Sequence, residues 1–198
     1  MERPLITEEF GPRVTDAWNH LRPATRTLIQ RAWQSPSTPP EQPRPTTYDP
    51  RTDRELSELL AALDERAARL NDESTREAKR LADTCAQMLT RQTQSAEVFA
   101  QLIQRAHARQ QFARLDELAN AMAERLAPSE LCELARAGNV VIRALAHEVL
   151  AQAPTSLLVA LLHDPIDADV ARAVLERQAA EFGSEEARQV LRHLDEGF

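Results

Sequence analysis

The stretch SELCELARAGNVVIRALAHEVLAQ, residues 129–152, decides the fold, because it returns 28 positions later as LLVALLHDPIDADVARAVLERQAA, residues 157–180. Each copy holds two short segments with apolar residues at helical spacing, separated by a polar break. Shifting by 28 places Leu131 on Val159 and Leu134 on Leu162 in the first segment. In the second it places Asn139 on Asp167, Ile142 on Val170 and Ala146 on Val174. A further shift brings Ala187 and Val190 onto the first-segment positions. The pattern spells a helical hairpin that repeats and ends in a half-unit covering the last apolar face. Upstream, over residues 95–127, the register does not carry cleanly.

The punctuation agrees with this reading. Pro128–Ser129 opens the first helix and Gly138 closes it as a left-handed cap. Asn139 opens Val140–Gln152. Pro154–Thr155 resets the chain for Ser156–His163, and the Asp-rich turn Asp164–Asp169 leads into Val170–Phe182. Gly183 ends that helix and Ser184 caps Glu185–Leu194.

Further upstream, residues 52–127 read as four helices with wide apolar stripes, among them Leu56, Leu59, Leu60, Leu63 and Leu81, Ala82, Cys85, Leu89. Thr52 with Glu55, and Ser74 with Glu77, have capping-box spacing. The first pair reads as an intramolecular hairpin rather than a coiled coil, since its stripe breaks at Asn71–Asp72. Residues 35–51, SPSTPPEQPRPTTYDPR, hold six of the twelve prolines and no apolar face, so they are expected to act as a linker. Residues 1–34 form an N-terminal amphipathic arm of two short helices broken at Pro23, carrying both tryptophans, Trp18 and Trp33. The expected organisation is thus arm 1–34, linker 35–51 and an all-helical domain 52–198.

Composition supports an all-α chain. Hydrophobic residues make up 42% but aromatic ones only 4%, so Leu, Ala and Val must fill the core, and four glycines leave helices uninterrupted. The net charge of −7 disfavours nucleic acid as a partner, because broad binding needs a basic face. The N-terminus shows no signal-peptide pattern and no stretch reaches membrane-spanning length, so a cytoplasmic location and no membrane association are expected.

The repeat resembles HEAT repeats on the residues Asn139–Val140–Val141–Ile142–Arg143, where a turn Asn/Asp precedes an apolar residue and an Arg. The second copy, Asp167–Ala168–Asp169–Val170–Ala171, departs from it, with Ala171 in the Arg position and Arg172 one place late. The resemblance covers about residues 129–196. It implies antiparallel hairpins in a short right-handed α-α superhelix, with Asp/Arg side chains laddering across repeats. It also implies a role in binding macromolecules.

Chemical motifs are sparse. Among His20, His107, His147, His163 and His193 there is no HExxH pairing, and Cys85 and Cys132 have no metal-ligand spacing. His163 with Asp164, Asp167 and Asp169 is the one cluster with metal-binding chemistry. The competing reading is that the aspartates cap the next helix. No catalytic, cofactor-binding or metal residue is assigned, and no cofactor is expected. The candidate partner-binding residues are Trp18 and Trp33, as aromatic anchors, and Arg105, Arg109 and Arg114, a basic stretch at a helix end. The expected function is a non-catalytic protein-interaction or scaffold module. The alternatives are a nucleic-acid-binding HEAT-like domain or an enzyme without a recognisable motif.

Overall fold

The computed structural model describes residues 7–34, 48–69 and 73–196. Among them are a 3-10 turn, Thr7–Phe10, eleven α-helices and no strand. The helices are α1 Pro12–His20, α2 Pro23–Gln34, α3 Pro50–Arg69, α4 Glu73–Gln92, α5 Ala96–Ala108 and α6 Phe112–Arg125. They continue as α7 Pro128–Ala135, α8 Val140–Ala151, α9 Thr155–Leu161, α10 Ala168–Glu181 and α11 Glu185–Glu196. The chain divides into two compact units, residues 1–98 and 99–198. Of the proline-rich stretch 35–51, residues 35–47 lie outside the described residues.

In the first unit α3 and α4 form the hairpin that the broken stripe predicts. Gln92 at the end of α4 donates to the buried Asp53 at the start of α3 (3.3 Å), so the two helices run antiparallel. Leu56, Leu59, Leu60, Leu63, Leu81 and Leu89 are all buried between them and their neighbours. α1 packs on α3, and α2 on both α3 and α4, burying Phe10, Val14, Leu21 and Ile29.

A polar knot fixes the α1–α2 corner. Arg22 donates to Glu55 (2.6 Å) and Asp49 (2.8 Å), and the buried Thr25 hydroxyl donates to the other oxygen of Glu55. The Arg22 guanidinium, with help from the Arg51 N–H, holds the Asp49 carboxyl below the usual carboxylate range. This changes the expected capping. Asp49 caps α3 by accepting from the Arg51 N–H (3.0 Å), with Pro50 as the first helical residue. Thr52 lies inside the helix, and Glu55 is used for Arg22 instead of a capping box. The second expected box is displaced as well, because α4 already begins at Glu73.

The second unit carries the repeat further than its sequence announces. The second helices α6, α8 and α10 begin at 112, 140 and 168, a strict 28-residue period. Leu118, Ala146 and Val174 share one position of that register, and Met122, Leu150 and Gln178 share another; all six are buried. The first helices match at Ile103, Leu131, Val159 and Ala187, and at Ala106, Leu134, Leu162 and Val190. The 28-residue register of core positions therefore extends through α5 and α6, upstream of the two copies that the sequence shows. In the unit α7 pairs with α8 and α9 with α10, α6 packs on α8, and α11 lies against α9 and α10.

The expected caps are mostly in place. Asn139 accepts from the N–H groups of Val141 (2.9 Å) and Ile142 (3.3 Å), and Ser184 accepts from that of Ala187 (3.2 Å). Gly183 is left-handed at φ 67°, and the Ser184 N–H reaches back to the Gln178 carbonyl at 3.0 Å, closing α10. Gly138 is a correction, since its φ is not positive and α7 ends earlier, at Ala135, with Arg136 as its C-cap. At the end of α5 the left-handed position falls on Gln110, with φ 56°.

No single described helix is long and apolar enough to cross a membrane. Only α8 and α9 together pass such a test, and they are bent by 119°.

Successive layers are tied by polar contacts at defined places. The rung suggested by the resemblance was an Arg at the position of Arg143. That side chain instead donates to the Ala137 carbonyl (2.9 Å), within its own turn. The layer-to-layer pair uses Arg136 at the end of α7, which donates to Asp167 (2.7 Å) and to the Ile166 carbonyl (3.0 Å). Ala171, where the second copy lacks its Arg, is fully buried, so the departure has a packing reason. Arg172 points outward and pairs with Glu176 and Asp195.

The Arg136–Asp167 pair has a measurable consequence. The Asp167 side chain is 4% exposed, so removing its cation leaves a nearly dry carboxylate without its charged donor. Arg136→Ala is expected to cost about 1–3 kcal/mol in urea unfolding. A loss within about 0.5 kcal/mol, the range of ordinary surface substitutions, would show that the pair does not join the layers.

Candidate functional site

Function in a helical stack resides in what the layers leave uncovered. Three large apolar side chains stand out on the second unit: Phe112, Val140 and Ile166, at 64%, 65% and 69% exposure. Phe112 and Val140 are the first residues of α6 and α8, and Ile166 lies in the turn just before α10. α6 packs on α8 and α8 on α10, so the three lie near the N-terminal ends of successive second helices; Phe112 and Val140 share one register position, and Ile166 stands two residues before Ala168, which takes that position in α10. Local chemistry explains their position. The turn geometry is set by backbone and capping bonds, such as Asp164 accepting the Ile166 N–H (2.9 Å), and not by burial of these side chains.

A second apolar feature lies on the first-helix side. Val159 of α9, Leu162 just past its end, and Val190 and Leu194 of α11 line an open groove of about 610 Å³. In the preceding layer, Leu131 and Leu134 occupy the positions of Val159 and Leu162 and are buried. Here the same positions are only half-buried.

The residues singled out from sequence are scattered. Trp18 is buried, at 8% exposure, in the first unit, where it also accepts the Arg26 Nε–H on its carbonyl (3.1 Å). Trp33 is half-buried, with the Arg80 guanidinium 4.6 Å from its ring centroid. Trp18 therefore fills the core of its own unit, and Trp33 is partly covered by a neighbouring side chain. Arg105, Arg109 and Arg114 cluster around the α5–α6 turn and are each half-buried. They sit close to Phe112, at the first end of the apolar row. Sequence reading missed the row itself. Part of its signal was available: Phe112 and Val140 are apolar residues straight after the cap position, 28 residues apart.

The His163 and aspartate cluster resolves into capping and pairing. Asp164 holds the turn, Asp167 holds Arg136, and His163 donates through Nδ1 to the Val159 carbonyl (3.2 Å). Among the described residues no group of three or more His, Cys, Asp or Glu side chains is placed to hold a metal ion. Cys132 is buried, and that burial, with the Asp167 and Asp164 charges, pushes its thiol up to about 11. A thiol so shifted carries little thiolate at neutral pH and is a packing residue.

His147 on α8 has a stability consequence near neutrality. Burial first, then the charges of Arg177 and Arg143, lower its folded pKa below the ordinary 6.5. The unfolded chain then binds a proton that the folded chain refuses, so the stabilisation is present above 6.5 and is lost as pH falls through the folded value. Melting temperature is expected to drop on acidification below about 6.5, and His147→Gln should flatten that part of the profile. An identical pH profile for the variant would contradict this assignment.

Compared with known protein families, curated proteins and solved structures, the chain has no match.

Proposed function

We propose that the chain is a non-catalytic helical-repeat module that binds another protein, its second unit forming a short right-handed α-α superhelix of HEAT-like kind. The observation that carries this reading is the row Phe112, Val140 and Ile166. Single exposed apolar residues are ordinary on any surface. Three near the starts of successive second helices are different, because repetition of a surface is how solenoid proteins build extended binding faces. Exposed aromatic and branched residues in a row offer apolar area to a partner without contributing to the chain's own core.

The test is site-specific photo-crosslinking in cells that make the protein. A photoreactive residue at 112, 140 or 166 is expected to form adducts with a protein, and one at the exposed Gln152 is not. Adducts equally abundant at all four positions, or none at all, would reject the reading. Adducts with nucleic acid would favour the nucleic-acid-binding alternative.

A further inference from the structure

We propose that two copies of this chain associate through the α9–α11 groove, with α11 of one copy lying antiparallel to α11 of the other. The groove is bounded on α11 by Glu186, Gln189, Val190, His193 and Leu194. These residues follow i, i+3, i+4, i+7, i+8 spacing, which is one continuous face of a helix and the seam spacing of paired helices.

That face is complementary to itself when reversed. An antiparallel two-fold pairing sets Gln189 against Val190 of the partner subunit at the centre. It sets Glu186 against His193 of the partner subunit at one end, and the same pair recurs at the other end by symmetry. A two-fold interface requires this reciprocity, in which each residue meets the one its counterpart meets. The His193 Nδ1 lies 2.8 Å from the Gln189 carbonyl, which can only accept, so Nδ1 carries a hydrogen, and Nε2 donates to a carboxylate only when the ring is the imidazolium.

Continuity with the repeat supplies the apolar part. Val159 and Leu162 stand where Leu131 and Leu134 are sealed by the following layer. A second copy brings Val190 and Leu194 to that unsealed place, the same kind of side chain that the next layer supplies inside the stack. Elsewhere α11 carries a polar face, with Arg188 and Arg192 bound to Glu185 and Arg172 to Asp195. The association is therefore confined to the groove edge. This surface is separate from the row at Phe112, so failure of either proposal leaves the other standing.

Sedimentation equilibrium of the full chain decides the matter. The wild-type protein is expected at twice 22.2 kDa at concentrations up to about 100 μM, where even a micromolar interface is populated. Glu186→Arg and His193→Glu each remove the end pairs and should weaken association by about tenfold or more. The double variant Glu186→Arg/His193→Glu rebuilds both pairs with reversed sign and should restore the dimer. Glu186 and His193 are exposed, so melting curves of these variants should match wild type. Val190→Asp should give a monomer. A wild-type mass of one chain, a dimer indifferent to the single substitutions, or no recovery in the double variant would each overturn the proposal.

Discussion

Leu150→Ala is expected to destabilise the second unit by about 2–5 kcal/mol, the cost of a cavity in a core that cannot collapse onto it. Leu150 is fully buried and sits in the middle layer, where α8 is flanked by α6 on one side and α10 on the other. Both flanking helices place a buried residue, Met122 and Gln178, at the same register, so the void lies between packed neighbours. For a unit of about 100 residues each kcal/mol moves the melting temperature by roughly 4–8 °C, and calorimetry should show the second unit melting well below its wild-type value. A loss under about 1 kcal/mol would mean that α8 is not sandwiched.

Gln178→Leu should be destabilising although it makes the register position more hydrophobic. The Gln178 amide donates to the carbonyls of Ala151 (3.0 Å) and Ala153 (2.8 Å), and its oxygen accepts from the Thr155 hydroxyl (3.2 Å). Those partners close the end of α8 and the start of α9, where backbone carbonyls have no partner within their own helix. Leucine would leave buried polar groups unsatisfied, at about 1–3 kcal/mol, more than its extra apolar surface returns. Denaturant unfolding of the variant measures the balance. A stabilised Gln178→Leu protein would show that water reaches this turn and that the clamp does not matter.

The same residue explains why part of the fold was hidden in the sequence. Met122, Leu150 and Gln178 share one position of the 28-residue register, yet a pattern search rewards the first two and discards the third. The upstream part of the register was masked in two ways. Arg114 stands where Ile142 and Val170 mark the later copies, removing the apolar signal from the first turn of α6. α5 also starts 32 residues before α7, at 96 against 128, whereas α6 and α8 start 28 apart. Counted from helix starts the period seems to fail, although the core positions Ile103 and Leu131 keep it. The all-helical class and the caps at Asn139, Ser184 and Gly183 were legible because they depend on local chemistry. The cap of α3 was legible too, as Asp49 followed by Pro50, and was passed over for the more familiar Thr52–Glu55 spacing.

The candidate surface was harder to read. Trp18 is the case in point, since an aromatic residue on an amphipathic helix serves equally as core or as anchor, and only tertiary packing chooses. Sequence shows which side chains are apolar and which segments are helical. It does not show which apolar residues the neighbouring layers fail to cover, and Phe112, Val140, Ile166 and the floor of the α9–α11 groove are defined by that failure.

The layered register of residues 99–198 underlies both surfaces, and native-state hydrogen exchange of the full chain tests it most directly. If α5–α6 is a true layer, the amides around Leu118 and Met122 should be protected to nearly the same free energy as those around Ala146, Leu150, Val174 and Gln178. Slow exchange in α8 and α10 with free exchange in α6 would contradict the account, and the row beginning at Phe112 would lose its first member.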